Sequence, residues 1–244
     1  MTKASPGTSG SAAQRVMPRR LPLSHRRAFV ARHTRLRPVA GVEAVRLHLA
    51  DDVEVLWPAV EAELGIDGAP IPFWAFAWAG GLALARHVRE HPDEVRGLRV
   101  LDFATGSGLV AIAAARAGAA DVVAADIDPF AEAAVALNAR ANRVRIAFVG
   151  RDLLDEPPPG VDVLLAADTW YEGALAERVL PWLRTAAARG TRVLIGDPGR
   201  RYLPDPATAG LVELACYEVH TTTVLEDRPV VQARVFALDA APPR

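Results

Sequence analysis

The stretch that most constrains the fold of this chain is 100–109, an apolar run that ends in Asp102 and is followed by Gly106 and Gly108. It predicts a buried strand, a glycine turn and the start of a helix that continues through the alanine-rich residues 110–117. Such a turn lets a ligand approach bare backbone and directs helix N–H groups toward it. The rest of the chain can therefore be placed relative to a ligand site at this turn.

From residue 98 onward, short apolar strands alternate with helices, which predicts a parallel sheet covered on both faces. The expected strands are 99–103, 121–126, 145–149, 162–167 and 192–196, and the expected helices are 109–117, 129–142 and 173–188. Two further strands, 211–223 and 230–238, are joined through 226–229 and predict an antiparallel hairpin at the sheet edge. The predicted fold class is α/β, a Rossmann-like doubly wound seven-strand sheet, mostly parallel, with an antiparallel C-terminal hairpin and a small N-terminal extension.

The first part of the chain predicts an addition in front of this sheet. Gly, Ser and Pro dominate its first residues, a composition typical of disorder. We expect a disordered basic tail over 1–24 and an extension over 25–69, followed by the main domain over 70–244. Within these parts, helices are expected at 25–36, 51–64 and 82–89, and a strand at 42–49.

Composition disfavours several classes of protein. Nine of the 28 basic residues precede Glu43, the first acid, which leaves 19 basic against 29 acidic residues in the remainder. Such an acidic body disfavours a nucleic-acid partner. The single cysteine, Cys216, excludes an internal disulfide framework and a cysteine-based zinc cluster, and no metal site is predicted. Because Cys216 lies in an apolar strand-like run, we expect it to be a buried small hydrophobe.

The sequence carries no pattern for membrane insertion or secretion. No run is long and apolar enough to span a membrane, and the polar start lacks the hydrophobic region of a signal peptide. An Arg-rich, acid-poor start also occurs in organellar transit peptides, but the composition favours a disordered tail. A reducing cytosol is the simplest location for a chain with one cysteine, so we predict a cytoplasmic protein without a membrane partner.

An aromatic segment, residues 70–81, precedes the main sheet. Four of the fifteen aromatic residues fall within six positions of it: Phe73, Trp74, Phe76 and Trp78. The cluster is explained equally well by a hydrophobic plug over the core and by the wall of a ligand pocket. Trp78 is the best candidate for a ligand contact.

Acidic side chains follow the ends of the five predicted parallel strands, namely Asp102, Asp126 with Asp128, Asp152, Asp168 and Asp197. In a sheet of this kind, ligands bind at the carboxyl ends of the strands, where the strand order reverses. A single acid in such a position is usually a helix cap. Acids after five successive strands indicate a binding site.

The cofactor follows from the residues around the first turn. Asp126 lies 24 residues after Asp102, where an acid commonly binds ribose hydroxyls. A nicotinamide dinucleotide is disfavoured because Asp102 would repel its pyrophosphate and Ala111 replaces the last glycine of the G-x-G-x-x-G pattern. S-adenosylmethionine carries an ammonium group instead. Its predicted contacts, from the methionine end to the adenine, are Trp78, Asp102, Ala104, Gly106, Gly108, Asp126, Ile127 and Asp152.

The chain resembles the class I, seven-strand methyltransferases that use S-adenosylmethionine. Among these it is similar to the lysine methyltransferases that act on the beta subunit of electron transfer flavoprotein. The resemblance runs from about residue 73 to the end and leaves 1–40 uncovered. It rests on the aromatic segment 73–78 with Gly80-Gly81, the turn 101–108, Ala-Asp-Ile-Asp-Pro at 125–129, Asp-x-x-Tyr at 168–171 and Gly-Asp-Pro-Gly-Arg at 196–200.

This resemblance implies a protein-lysine N-methyltransferase whose partner is a protein such as the electron transfer flavoprotein beta subunit. Asp168 and Tyr171 are the implied catalytic residues beside the methyl group, where Asp168 also contacts the cofactor and holds the incoming ammonium. Trp170, Asp197 and Arg200 are the implied substrate contacts, with a cation–π role for Trp170 or Tyr171. Core packing explains Trp170 at least equally well, and a structural ion pair is an alternative for Arg200.

Two other functions stay open, and two more are disfavoured. A methyltransferase for another protein or a small amine would use the same cofactor residues, and a cofactor-binding protein without catalysis would keep them too. A nicotinamide-dependent oxidoreductase is disfavoured because Lys3 is the only lysine, so no Tyr-x-x-x-Lys site exists. A nucleic-acid amino methyltransferase is disfavoured because Asp-Thr-Trp-Tyr, and not Asn-Pro-Pro-Tyr, follows the fourth strand.

Overall fold

A computed structural model of the chain describes residues 21–221 and 228–239. The predicted disorder of 1–20 and part of the predicted connection 226–229 therefore lie outside the described residues. The first helix begins at Leu23, inside the segment 1–24 that was expected to be a tail. No helix in the described ranges is long and apolar enough to cross a membrane.

The N-terminal layer consists of α1 (Leu23–His33), β1 (Arg35–Val39), β2 (Val42–Leu49) and α2 (Val53–Leu64). The two strands pair antiparallel and form a small sheet of their own. The helix predicted over 25–36 is shorter because the chain turns into β1, whose charged Arg-Leu-Arg-Pro sequence hides a strand that its pairing with β2 defines. Asp52 caps α2 by accepting a hydrogen bond from the Glu54 N–H.

The main sheet has seven strands in the order β5-β4-β3-β6-β7-β9-β8. The strands are β3 (Arg99–Phe103), β4 (Asp121–Ala125), β5 (Ala147–Val149), β6 (Val163–Ala167), β7 (Arg192–Asp197), β8 (Leu211–His220) and β9 (Val230–Leu238). The first five are parallel, and β9 pairs antiparallel with both β7 and β8. The predicted fold class is confirmed. The strand order reverses between β3 and β6, so ligands are expected at the carboxyl ends of these two strands.

Helices cover both faces of the sheet. They are α3 (Ala79–Glu90), α4 (Leu109–Arg116), α5 (Pro129–Ala141), α6 (Gly173–Ala188) and the short α7 (Pro206–Ala209), which the sequence did not suggest. One core lies between the sheet, α3 and α4, and a second core packs α6 against the opposite face. The helix expected at 82–89 begins three residues earlier, at Ala79, and includes both glycines of the aromatic segment.

Two expectations for the rest of the chain are corrected. Cys216 is exposed, because β8 is the edge strand of the sheet and this side chain lies on its solvent side. The strand predicted at 145–149 is shorter and begins at Ala147, since only its last three residues pair with β4.

Asn138 of α5 connects the N-terminal layer to the glycine turn. Its side-chain oxygen accepts a hydrogen bond from the His48 N–H at 2.7 Å, and its side-chain N–H₂ donates to the Ser107 carbonyl at 2.8 Å. Asn138 is fully buried, and its bond to Ser107 is shielded from water. The extension therefore supports the turn that the sequence singled out.

Candidate active site

The glycine turn joins β3 to α4 with three residues in the left-handed region, namely Ala104, Gly106 and Gly108, with φ of 53°, 51° and 80°. Glycine adopts this conformation freely, whereas an alanine there is strained by about 1 kcal/mol. Asp102 is buried beneath the turn, and its Oδ2 accepts hydrogen bonds from Thr105 Oγ1 at 2.5 Å and the Ala111 N–H at 3.0 Å. Asp102 therefore fixes the turn to the first turn of α4.

Asp126, at the end of β4, is tied to the same turn. Its Oδ2 accepts a hydrogen bond from the Gly106 N–H at 2.8 Å, and its Oδ1 accepts one from the Asp128 N–H at 2.9 Å. Asp128 caps α5 by accepting from the Phe130 N–H, so it has a structural role. Asp126 stays partly accessible, and the neighbouring Ile127 side chain is 73% exposed.

The described residues supply no cation that pairs with Asp102 or Asp126. Burial raises the pKa of Asp102 to about 7, and the proximity of Asp126 adds to the shift. Burial also raises the pKa of Asp126. Within the described ranges, neither carboxylate has an ion pair with a basic side chain, so a cationic ligand would stabilise both. These two carboxylates therefore fit the ammonium group and the ribose hydroxyls of S-adenosylmethionine.

Asp152, the predicted adenine contact, lies after β5 on the surface. Its Oδ1 accepts a hydrogen bond from the Leu154 N–H at 2.9 Å, and its Oδ2 pairs with Arg178 of α6 at 2.9 Å. Both partners hold the loop that carries it. Its contact with adenine stays a prediction.

Asp168 follows β6 and is the centre of a second group of contacts, which includes Gly81 and Arg200. Its backbone is left-handed, with a φ of 53°, and its side chain is 13% exposed. Its Oδ2 accepts a hydrogen bond from the Gly81 N–H at 2.8 Å, and its Oδ1 accepts bonds from Nε and Nη2 of Arg200 at 3.1 and 2.8 Å. Burial raises the pKa of this carboxyl, and the Arg200 charge opposes that shift. Unlike Asp102, Asp168 therefore has an internal counter-charge.

The contact with Gly81 depends on how closely α3 approaches the sheet. A Cβ on Gly80 would lie 2.3 Å from the Gly196 carbonyl oxygen, and a Cβ on Gly196 would lie 2.2 Å from the Gly80 carbonyl oxygen. Only glycine fits at both positions, and this brings the N-terminus of α3 onto the ends of β6 and β7. The positive end of the helix then faces the Asp168 carboxylate.

Asp197, at the end of β7, does not reach the substrate side as predicted. It is fully buried, and its Oδ1 accepts hydrogen bonds from the N–H groups of Gly199 and Arg200, both at 2.7 Å. Burial raises its pKa to about 7, with a further contribution from the charge of Asp168. Its role in this structure is to fix the backbone that carries Arg200.

Part of the aromatic segment lies in the core and part lies at the candidate site. Trp74 and Phe76 are buried, as in the plug interpretation. Phe73 and Trp78 are partly exposed, and the Trp78 Nε1–H donates to the Phe73 carbonyl at 3.0 Å. The Trp78 ring lies beneath the Arg200 guanidinium, 5.6 Å from its carbon, and the Phe73 ring lies 4.9 Å from that of Tyr171. These rings form a wall beside Asp168.

The wall also reaches the glycine turn, because a Cβ on Gly106 would lie 3.6 Å from the Phe73 carbonyl oxygen. Tyr171 is 45% exposed at the mouth of the site, and burial of its hydroxyl raises its pKa. Phe73 belongs to the cluster for which a pocket wall was one of two interpretations, whereas the Gly81 N–H is a contact of the site that the sequence did not single out. The conspicuous Gly80-Gly81 pair was the one signal for the latter.

Trp170 is not available to a substrate. It is fully buried in the core beneath α6, in the same cluster as Val179, Trp182 and Leu183. Because Asp168 turns the backbone at the end of β6, Trp170 enters the sheet–helix interface while Tyr171 faces solvent. The predicted substrate contact of Trp170 is therefore wrong, and core packing is its role.

Comparisons with known proteins agree with this geometry. A family model described as ribosomal protein L11 methyltransferase (PrmA) matches residues 85–167. The electron transfer flavoprotein beta subunit lysine methyltransferase of Xenopus laevis is 34% identical over 227 residues, which cover 92% of this chain and 91% of that protein. The protein of the same name from Danio rerio is 36% identical over 176 residues, or 71% of this chain and 68% of that protein.

A solved structure from Pyrococcus horikoshii, named a candidate RNA methyltransferase, superposes with a TM-score of 0.53. It covers 70% of this chain and 89% of its own, at 12% sequence identity. At that identity the similarity concerns the fold alone.

Proposed function

The chain belongs to the electron transfer flavoprotein beta subunit lysine methyltransferase family, and from this premise we propose that it methylates lysine side chains of the electron transfer flavoprotein beta subunit. It is a protein-lysine methyltransferase that uses S-adenosylmethionine, and its substrate is a protein. The identity of that protein is the proposal. The names of the relatives support this acceptor, and the placement of Asp168 and the exposed Tyr171 beside a turn suited to the cofactor supports methyl transfer at this site.

When bound, S-adenosylmethionine supplies a methyl group on a sulfonium, which a neutral amine can attack in line. The protein's task is to hold the two reactants in this alignment and to exclude water. Asp126 and the backbone of 104–108 would hold the cofactor, and Asp102 fixes the turn from beneath. Asp168 and Tyr171, which lie beside the aromatic wall, orient the incoming amine.

Tyr171 is not the base in this mechanism. Burial raises the pKa of its hydroxyl above the ordinary value of about 10, so it stays protonated at neutral pH. A protonated phenol orients the amine by hydrogen bonding and presents its ring to a cationic or methylated lysine. The lysine has to lose its proton before or during binding, because its ordinary pKa is about 10.4.

The direct test combines the enzyme with S-adenosylmethionine labelled in its methyl group and purified electron transfer flavoprotein beta subunit, with a cell lysate in parallel. The chain has one lysine, Lys3, so a Lys3→Arg enzyme gives no background from its own lysines. We expect label on lysines of the beta subunit. Label on another protein would replace the acceptor. Label in nucleic acid, or in no protein, would contradict the proposal.

The predicted cytoplasmic location stays a prediction. Fractionation of cells that produce the tagged full chain measures it, and enrichment in an organelle or a membrane fraction would contradict it.

A further inference from the structure

Arg200 occupies a position that a substrate cation would otherwise fill. Its guanidinium donates two hydrogen bonds to Oδ1 of Asp168 and lies over the ring of Trp78. The side chain is only 16% exposed, and Asp197 fixes its backbone from below. The guanidinium is therefore held beside Asp168 from several directions.

The pairing of Arg200 with Asp168 affects the protonation of the lysine that accepts the methyl group. A buried carboxylate without a counter-charge stabilises an ammonium beside it and so raises the pKa of a bound lysine. A protonated lysine has no lone pair with which to attack a methyl group. A carboxylate already paired with Arg200 attracts a second cation much less, and the guanidinium repels it.

We propose that Arg200 stays paired with Asp168 when the substrate binds, and that its charge makes the site select the lysine in its neutral form. This inference rests on the proposed function, since it requires that the acceptor amine lies beside Asp168. Arg200 is then a positioning residue that acts through Asp168 and sets the protonation state of the substrate.

Displacement of Arg200 by the lysine is the competing arrangement. It would form an ammonium–carboxylate pair in a largely buried place and would break both hydrogen bonds that the guanidinium donates to Oδ1 of Asp168. The hydrogen bonds that the Gly199 and Arg200 N–H groups donate to Asp197 oppose that movement, because they fix the backbone from which the Arg200 side chain starts. The structure therefore favours an arginine that stays.

The other titratable groups near this pair come from three elements. Asp197 lies at the end of β7 with a pKa of about 7, Tyr171 and Glu172 follow β6, and Asp126 lies at the end of β4. About pH 9 is two units above the pKa of Asp197, so that carboxyl is ionised, and the raised pKa of Tyr171 keeps its hydroxyl protonated. A free lysine is still mostly protonated at that pH, since its ordinary pKa is about 10.4. The lysine is then the group whose protonation binding can change.

The test is a proton count by calorimetry at about pH 9, in two buffers with different ionisation enthalpies. The electron transfer flavoprotein beta subunit is titrated into the full-length enzyme saturated with S-adenosylhomocysteine, so no methyl transfer occurs. For the wild type we expect the release of about one proton per lysine bound. For Arg200→Gln we expect release close to zero, because the lysine then binds as an ammonium beside Asp168.

Two controls isolate the effect. Arg201→Gln removes the same charge from the adjacent residue, which lies against Tyr202 instead, and it should release protons as the wild type does. A beta subunit whose methylated lysine is replaced by methionine should release none. Unchanged affinity for S-adenosylhomocysteine in Arg200→Gln shows that the variant is folded.

The pH profile of kcat gives a second readout. We expect its acid limb to move toward alkaline pH by about one unit or more in Arg200→Gln, which is a loss of about tenfold at neutral pH for each unit. Addition of guanidinium at non-denaturing concentration should partly restore the neutral-pH rate.

Three results would overturn the proposal. Release of no proton by the wild type means that the lysine binds as a cation and displaces Arg200, whether or not the variant folds. Equal release by the wild type and Arg200→Gln means that Arg200 does not set the protonation state. A wild type that neither binds nor methylates the beta subunit means that the proposed function is wrong, and the inference falls with it.

Discussion

The site has two halves that hold their carboxylates in opposite ways. The cofactor half consists of Asp102, Gly106 and Asp126 at the ends of β3 and β4, and its carboxylates accept hydrogen bonds from the turn itself. The acceptor half consists of Asp168 and Arg200 after β6 and β7, with Asp197 beneath them, and it contains its own counter-charge. The difference matches the ligands, because S-adenosylmethionine carries positive charge whereas a reactive lysine is neutral.

The two halves also differ in whether the protein itself offsets the cost of burying their carboxylates. In the cofactor half, burial raises the pKa of Asp102 and the like charge of Asp126 adds to the shift, so a cationic ligand would stabilise the charged carboxylates. In the acceptor half, the Arg200 charge and the N-terminus of α3 offset the burial of Asp168. We therefore expect substitutions in the first half to change cofactor affinity, and substitutions in the second half to change transfer.

Asp168→Asn is expected to have the largest effect. At saturating cofactor, the rate of methyl transfer should fall by about 10³-fold, comparable to the loss of a charge-stabilising group in other active sites. The measurement is the initial rate of label transfer to the protein substrate. Glu172→Gln removes a nearby exposed charge and is the matched control, expected within about twofold of the wild type. A rate in Asp168→Asn near that of the control would place the acceptor elsewhere.

Gly80→Ala tests the close packing of α3 on β7, on which the acceptor half depends. Its Cβ would lie 2.3 Å from the Gly196 carbonyl oxygen, so α3 must move away from β7. We expect a loss of about 3 kcal/mol in the free energy of unfolding, at the upper end of overpacking effects. Gly81→Ala is the control, since its nearest neighbour would be at 3.9 Å. Urea unfolding of both variants gives the comparison, and equal stability would show that the close approach of α3 is not required.

Asp126→Ala tests the cofactor half. We expect the dissociation constant for S-adenosylmethionine to rise by about 30-fold, or about 2 kcal/mol, because hydrogen bonds to a charged group are lost. Asp121→Ala, at the exposed opposite end of β4, is the control and should bind as the wild type does. Isothermal titration measures both, and an unchanged affinity in Asp126→Ala would remove the ribose assignment.

Asp197→Asn should have the smallest effect, and it is visible only in the pH dependence of stability. The folded-state pKa of about 7 is above the ordinary value, so the folded protein binds this proton more tightly than the unfolded chain. Its burial therefore costs stability increasingly as the pH rises from about 4 to 7. We expect the asparagine variant to lose about 1 kcal/mol less than the wild type between pH 6 and 7. Parallel curves from urea unfolding at several pH values would contradict this.

What could be predicted from the sequence follows the same division. The glycine turn, Asp102 and Asp126 belong to one continuous strand–turn–helix pattern, and their hydrogen bonds join neighbouring segments. The alternation of strands and helices likewise gave the sheet and its edge hairpin. A local sequence pattern is sufficient to predict these features because the residues that contact one another belong to the same pattern.

The acceptor half depends on contacts between distant segments. Asp168 meets Gly81 and Arg200 only because α3 packs on β7, and no local pattern encodes the Gly80–Gly196 approach. For the same reason the sequence left a substrate contact and core packing both open for Trp170, which the turn at Asp168 directs into the core. Sequence reasoning also assigned Asp197 to a substrate that it does not face.

The division between the halves is tested most directly by titrating S-adenosylmethionine into Asp168→Asn. If the cofactor half is independent of Asp168, the dissociation constant stays within about threefold of the wild-type value although methyl transfer is lost. A dissociation constant raised tenfold or more would contradict the account, because Asp168 would then belong to the cofactor site.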